Sequence, residues 1–104
     1  MGDSGKLAIP ALLIRLSDSD EKVRWYSAFA ISELDCDDPD AIPILIKALH
    51  DPDDDVCGYA AKALGKFGAQ AKEALPDLEW LTESENPELV RQIEDAIIMI
   101  TLQT

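Results

Sequence analysis

One histidine, His50, and two cysteines, Cys36 and Cys57, are the side chains in this sequence best suited to general-base or nucleophilic work near neutral pH. A hydrolytic triad needs its histidine beside a serine or thiol and an orienting acid. No such pairing is suggested for His50, which stands at a helix end among acids. Cys57 opens a helix, whose dipole lowers a thiol pKa, but Asp53, Asp54 and Asp55 just before it push the other way. His50, Cys36 and Cys57 lack zinc-ligand spacing. Asp35, Asp37, Asp38 and Asp40 crowd one loop and offer oxygen ligands of the kind calcium takes. An EF-hand starting at Asp35 would need glycine at its sixth position and glutamate at its twelfth. Those positions are Asp40 and Ile46, so the motif fails. No glycine-rich phosphate loop follows a strand. The expectation is a non-enzyme with no catalytic, cofactor or metal residues.

The chemistry left over is recognition. The 104 residues carry 21 Asp+Glu against 9 Lys+Arg, a formal charge of -12. That balance opposes binding to nucleic acid and to anionic membranes, both of which require clustered Lys and Arg. It favours a basic protein partner, or plain solubility. At 47% apolar residues the chain is too hydrophobic to be disordered despite its charge. Its length suits a single domain, residues 1–104. The longest strongly apolar stretch, Ala96 to Ile100, is far too short to span a bilayer. The start, Met-Gly-Asp-Ser-Gly-Lys, has no signal-type apolar run, and Lys6 stands where myristoylation wants Ser or Thr. A cytoplasmic protein is expected.

An internal repeat supplies the elements that position these residues. Ala8-Ile9-Pro10 recurs as Ala41-Ile42-Pro43 and as Ala74-Leu75-Pro76, in steps of 33. Downstream, Leu12, Leu13 and Leu16 become Leu45, Ile46 and Leu49. Asp18, Val23, Ala28, Ala30 and Ile31 become Asp51, Val56, Ala61, Ala63 and Leu64. The third copy keeps Leu75, Leu78, Val90 and Arg91, which places one extra residue in its acidic loop. Each copy reads as two helices. Ile9, Leu12, Leu13 and Leu16 fall at i, i+3, i+4 and i+7, one apolar stripe. Val23, Ser27, Ala30, Ile31 and Leu34 form the matching face of the second helix. The prolines sit near helix starts, where a missing N–H costs nothing. Asp18 with Glu21 reads as a capping box, and Asp51-Pro52 and Asn86-Pro87 as N-caps followed by proline. Gly65 and Gly68 mark a helix end. Helices are expected over about 6–17, 19–34, 40–50, 52–66, 72–83 and 87–102, in repeats of about 6–34, 40–67 and 72–102.

The string Ala-Ile-Pro-x-Leu, then Asp-Pro, then Val-Arg-x-x-Ala-Ala-x-Ala-Leu-Gly resembles HEAT repeats, over roughly residues 8–100. The short kind found in phycobilisome lyase subunits and small bacterial proteins is most similar. The resemblance implies an all-α fold, a right-handed α-α solenoid of three helix pairs, whose second helices line a concave protein-binding surface. Arg24 and Arg91 keep the arginine after valine, but Cys57 replaces it in the middle copy and interrupts an Asp–Arg ladder. Gly58 sits in a helix interior at about 1 kcal/mol relative to Ala. Glu79 and Thr82 replace two stripe positions, as suits a terminal cap. On this arrangement Cys36 and Cys57 lie at opposite edges, too far apart for a disulfide.

On the concave side the expected anchors are Trp25, Phe29 and Tyr59, then Tyr26 and Lys62, with Arg24 and Lys66 nearby. The alternative is that the rings only fill gaps between helices rich in small residues. Ten of the 21 acids (Asp18, Asp20, Glu21, Asp51, Asp53, Asp54, Asp55, Glu83, Glu85 and Glu88) fall in or beside the loops within the helix pairs. They align as one negative edge, with Asp53, Asp54 and Asp55 steering a basic partner, or else serve as helix caps and solubilising charge. The last helix, with Ile93, Ile97, Ile98, Met99, Ile100 and Leu102, is more apolar than one buried face requires. It either forms a homodimer contact or folds its tail over its own end. The leading function is a scaffold or adaptor. An inhibitor or immunity-type protein masking a basic nuclease, and a bilin lyase-like subunit, are the alternatives.

Overall fold

The computed structural model describes the backbone of residues 3–102, with side chains from Ala8 onward. The reading of the first residues as lacking a targeting signal therefore lies outside the described side chains. The described residues form an all-α solenoid of helix pairs: α1 (Asp3–Arg15) with α2 (Glu21–Glu33), α3 (Ala41–Ala48) with α4 (Asp54–Phe67), and α5 (Leu75–Leu81) with α6 (Pro87–Thr101). The second helices pack side by side, α2 on α4 and α4 on α6, so α4 is the centre of the molecule.

The helices are not six separate rods. A 3₁₀ segment, Gly68–Ala74, joins α4 to α5 with no intervening loop, so the described residues run in five uninterrupted helical stretches. The helix expected over 72–83 is correspondingly a seven-residue α-helix with a 3₁₀ lead. Gly68 ends α4 with φ 62° and ψ -138°, a conformation open to glycine because it has no Cβ. Ala71 departs from helical geometry at φ -97°, ψ 21°, and Pro76 in the first turn of α5 resists an α-helix continuing from upstream. Gly65 does not cap the helix as expected. It lies within α4, where an added Cβ would come 3.3 Å from the Ala96 Cα and 3.2 Å from the Met99 Sδ of α6. Pro10 also departs from expectation: α1 starts at Asp3, so this proline is inside the helix and omits one backbone hydrogen bond.

The caps correct the sequence reading of the loops. The N-caps are Asp20, Asp53 and Asn86, each one full repeat period after the last. Their side chains accept from the backbone N–H groups of Lys22 (2.9 Å), Asp55 (2.8 Å) and Glu88 (3.1 Å). The residue two before each cap holds the cap's own N–H: Asp18 at 2.8 Å, Asp51 at 2.9 Å and Ser84 at 3.1 Å. Asp18 and Asp51, expected as the caps, thus stand two residues upstream of them.

The same period runs through the third copy. The buried Val56, Ala60, Ala63 and Phe67 of α4 are matched, one period on, by the buried Leu89, Ile93, Ala96 and Ile100. No extra residue sits in the third loop. Leu89, not Val90, takes the place of Val56, because a helix buries the position that faces its neighbour whatever letter stands next to it. Arg91 is therefore one residue past the Arg24 position and is exposed.

Ile31, Leu45, Leu64, Leu78, Ile93 and Ile100 are fully buried. Ser27 and Ser32, also buried, donate to the Val23 and Phe29 carbonyls at 2.7 Å each, so neither hydroxyl is left unsatisfied.

Candidate protein-binding surface

Four rings from α2 and α4 form one cluster. Trp25 and Phe29, one turn apart on α2, stack with ring centroids 5.7 Å apart and planes 14° from parallel. Tyr59 of α4 meets both edge-on, at 5.7 Å from Trp25 and 5.3 Å from Phe29. Tyr26 is edge-on to Trp25 at 5.7 Å. These separations and angles suit the ring quadrupoles. Trp25 and Tyr59 are half-buried and packed against the core. Phe29 is 37% exposed and Tyr26 68%. The cluster therefore both fills the gap between α2 and α4 and presents apolar ring surface to solvent. Tyr26 turns toward the α1 side, where Leu12, Val23 and Ala30 border the same shallow groove. Lys62, on α4 with Tyr59, pairs its Nζ with Glu33 of α2 at 3.2 Å, a solvent-exposed bridge of small energetic worth. The neighbouring Lys66 ammonium donates to the Ser32 carbonyl.

The acidic edge divides into structural and surface groups. Asp51 is largely buried: one carboxylate oxygen accepts from Arg24 Nε at 2.8 Å, the other from the Asp53 N–H. Arg24 Nη1 also donates to the carbonyls of Asp18 and Ser19, at 2.8 and 3.2 Å. Asp53 is half-buried and occupied as a cap. Asp54 and Asp55 are exposed, with Asp54 accepting from Asn86 Nδ2 at 2.9 Å. Of the three acids expected to steer a partner, one is thus a structural cap and two face solvent.

The three helix pairs keep one constant period and stack through their second helices. The family model described as HEAT repeats matches residues 9–98. The chain belongs to the HEAT-repeat family. A crystal structure of an engineered protein is similar to it in fold, with a TM-score of 0.76 at 22% identity over 99% of this chain. The chain spans about half of that protein, 51% of its length. No curated protein matches it.

In this HEAT-repeat protein the last helix keeps Ile98, Met99 and Leu102 exposed, with Ile98 at 51%. The helix continues to Thr101 and ends at the C-cap Leu102. Both thiols are free. Burial pushes Cys57 up to about 12, with the charges of Asp54 and Asp51 adding to it. Burial raises Cys36 as well.

Sequence reasoning missed Trp80. It is 63% exposed on α5, with its ring 5.9 Å from that of His50, whose Nε2 meets Asp77 Oδ2 at 2.7 Å. Its signal was available in the repeat phase: Trp80 lies one period after Lys47, an exposed position on the first helix of its pair.

Proposed function

We propose that this HEAT-repeat protein is a non-catalytic scaffold that binds a basic protein partner through the α2/α4 face. The observation that carries this is the four-ring cluster, whose outer members Phe29 and Tyr26 remain exposed on a rigid helix pair. Rigid aromatic side chains contribute large contact area at low entropic cost, and such residues dominate interface energetics. The charge of -12 and the exposed acids beside the α4 N-terminus favour a basic partner and speed its approach. HEAT repeats generally serve protein interaction, which agrees with this reading. A thiol held near 12 is a poor nucleophile at neutral pH, which supports a non-enzymatic role. Two free thiols fit a reducing compartment, the cytoplasm.

The test is affinity capture from the source cells with the wild-type chain and a Tyr26→Ala/Phe29→Ala variant. Both side chains are exposed enough to be removed with little loss of core packing. The expected result is loss of the captured partner with an unchanged helical circular-dichroism spectrum, and weaker capture by the wild type as salt rises. Trp25→Ala is the less clean variant, because Trp25 also packs on the core. Undiminished capture by the double variant would remove the ring cluster from the interface.

The exposed Ile98, Met99 and Leu102 support a second contact, between two copies of the chain.

A further inference from the structure

The loop edge of the stack contains the same cleft twice, and the two copies hold opposite chemistry. Between the first and second repeats the cleft is lined by Leu16, Asp18, Arg24, Lys47, His50 and Asp51. Between the second and third, a cleft of about 370 Å³ is lined by Leu49, Asp51, Cys57, Trp80, Glu83 and Ser84. Each residue of the second set stands one repeat period after its counterpart in the first. In the first cleft the chain supplies its own guanidinium. Arg24 is held there by the Asp51 carboxylate and by the carbonyls of Asp18 and Ser19.

In the second cleft three exchanges remove every counterpart of that basic set. Arginine becomes Cys57, lysine becomes Trp80 and histidine becomes Glu83. Cys57 ends at Sγ and cannot reach across to the next repeat. Leu49, Leu81 and Leu89 give the cleft an apolar lining, and Asp54 and Glu83 bring carboxylates to it, while Asp51 is already engaged by Arg24 and the Asp53 N–H. The exposed Trp80 indole forms one wall, next to the His50 ring that Asp77 holds. An aromatic face, carboxylates and an apolar lining together suit a cation on an aliphatic stem.

We infer that this cleft receives one arginine side chain of a protein partner, which takes in trans the place that Cys57 leaves without a guanidinium, with Asp54 and Glu83 as its acids where Ser84 stands in the Asp51 position. Arginine fits better than lysine. Its planar fork pairs with carboxylate in two parallel hydrogen bonds, and it stacks on an indole face. The inference goes beyond the scaffold reading. It requires nothing of the rings on α2, and its probe is a small molecule, so either can fail while the other stands.

The experiment is a two-dimensional ¹H–¹⁵N NMR titration of the full chain with N-acetyl-arginine amide. The Trp80 indole N–H and the backbone amides of Cys57 and Glu83 should shift saturably, with a Kd on the order of millimolar for a single residue. Trp80→Ala, at an exposed position, should weaken the fit by about two- to fivefold, the worth of an exposed cation–π contact. N-acetyl-lysine amide should bind more weakly than the arginine derivative. Cys57→Arg should abolish the shifts, because the chain then fills its own cleft. If that variant does not fold, Trp80→Ala and Glu83→Gln carry the decision. Absence of saturable shifts, equal binding of the lysine derivative, or unchanged affinity in both Trp80→Ala and Glu83→Gln would overturn the inference. So would the same signals moving with protein concentration alone, which would assign the cleft to an arginine of a second copy.

Discussion

At Cys57 burial and charge act in the same direction. The thiol is nearly inaccessible at the start of α4, and its pKa is pushed up to about 12 by burial first, then by Asp54 and Asp51. In the unfolded chain it ionises near its ordinary value of 9.0. As pH rises past that value the unfolded state sheds the proton and the folded state keeps it. Stability from this group is therefore complete below pH 9 and declines as pH climbs toward 12. Urea unfolding across that alkaline range should show a shallower fall for Cys57→Ala than for the wild type. Iodoacetamide labelling near neutral pH, followed by mass spectrometry, should modify the half-exposed Cys36 first and reach Cys57 only as the chain unfolds. Both cysteines were visible in the sequence, and so were the acids near Cys57. Its burial was not, because that depends on α2, α3 and α6 packing around α4.

Within the elements, the loop inside each helix pair does its work through a pair of side-chain acceptors spaced two residues apart. Asp51 has two such duties: it holds the Asp53 N–H and it pairs with Arg24 of the preceding repeat. Asp51→Ala leaves a partly buried guanidinium without its carboxylate and should cost about 3 kcal/mol. Asp55→Ala, at an exposed first-turn position, should stay within about 0.5 kcal/mol. Denaturant melts of the two variants separate structural acids from surface ones. The two glycines of α4 behave in opposite ways. A Cβ at Gly65 meets the Ala96 Cα, part of a backbone that cannot swing aside, so Gly65→Ala should destabilise by about 1–3 kcal/mol. A Cβ at Gly58 meets only the far end of Gln92, with Oε1 at 2.1 Å, and that side chain can turn away. Gly58→Ala should therefore be neutral or stabilising by up to about 1 kcal/mol, the helix cost the glycine now imposes. The sequence showed that a glycine in this helix is unfavourable. Which of the two is needed depends on how closely α6 approaches.

At the scale of the molecule, three repeats make a body of 36 × 33 × 20 Å carrying a charge of -12. Such charge keeps copies apart at low ionic strength, while Ile98, Met99 and Leu102 offer an apolar edge at the last helix. The expected outcome in light scattering is a dimer that persists or strengthens as salt rises, because salt screens the repulsion and leaves the apolar contact intact. Ile98→Glu should return the chain to a monomer. A wild-type monomer at all salt concentrations would leave that edge without a self-contact.

The sequence by itself determined the helical class, the 33-residue step between the first helices, the apolar stripe of the first two of them and the net charge. The helical stripes are written within one or two turns, and the repeat step and the charge are read from the order and count of residues, so none of them depends on which face a neighbour covers. It also placed the rings of Trp25, Phe29 and Tyr59 on the second helices, where they do meet. The tertiary structure alone decided the rest. It set the phase of the third copy, where the letters Val90 and Arg91 suggested a shift that the buried Leu89 and the Asn86 cap contradict. It turned Asp51 and Asp53 into structural groups and left Tyr26 exposed. It also brought His50 and Trp80, far apart in the chain, side by side on one cleft wall. Each of those outcomes depends on which face of a helix the next repeat covers, and that contact is made only when the stack has formed.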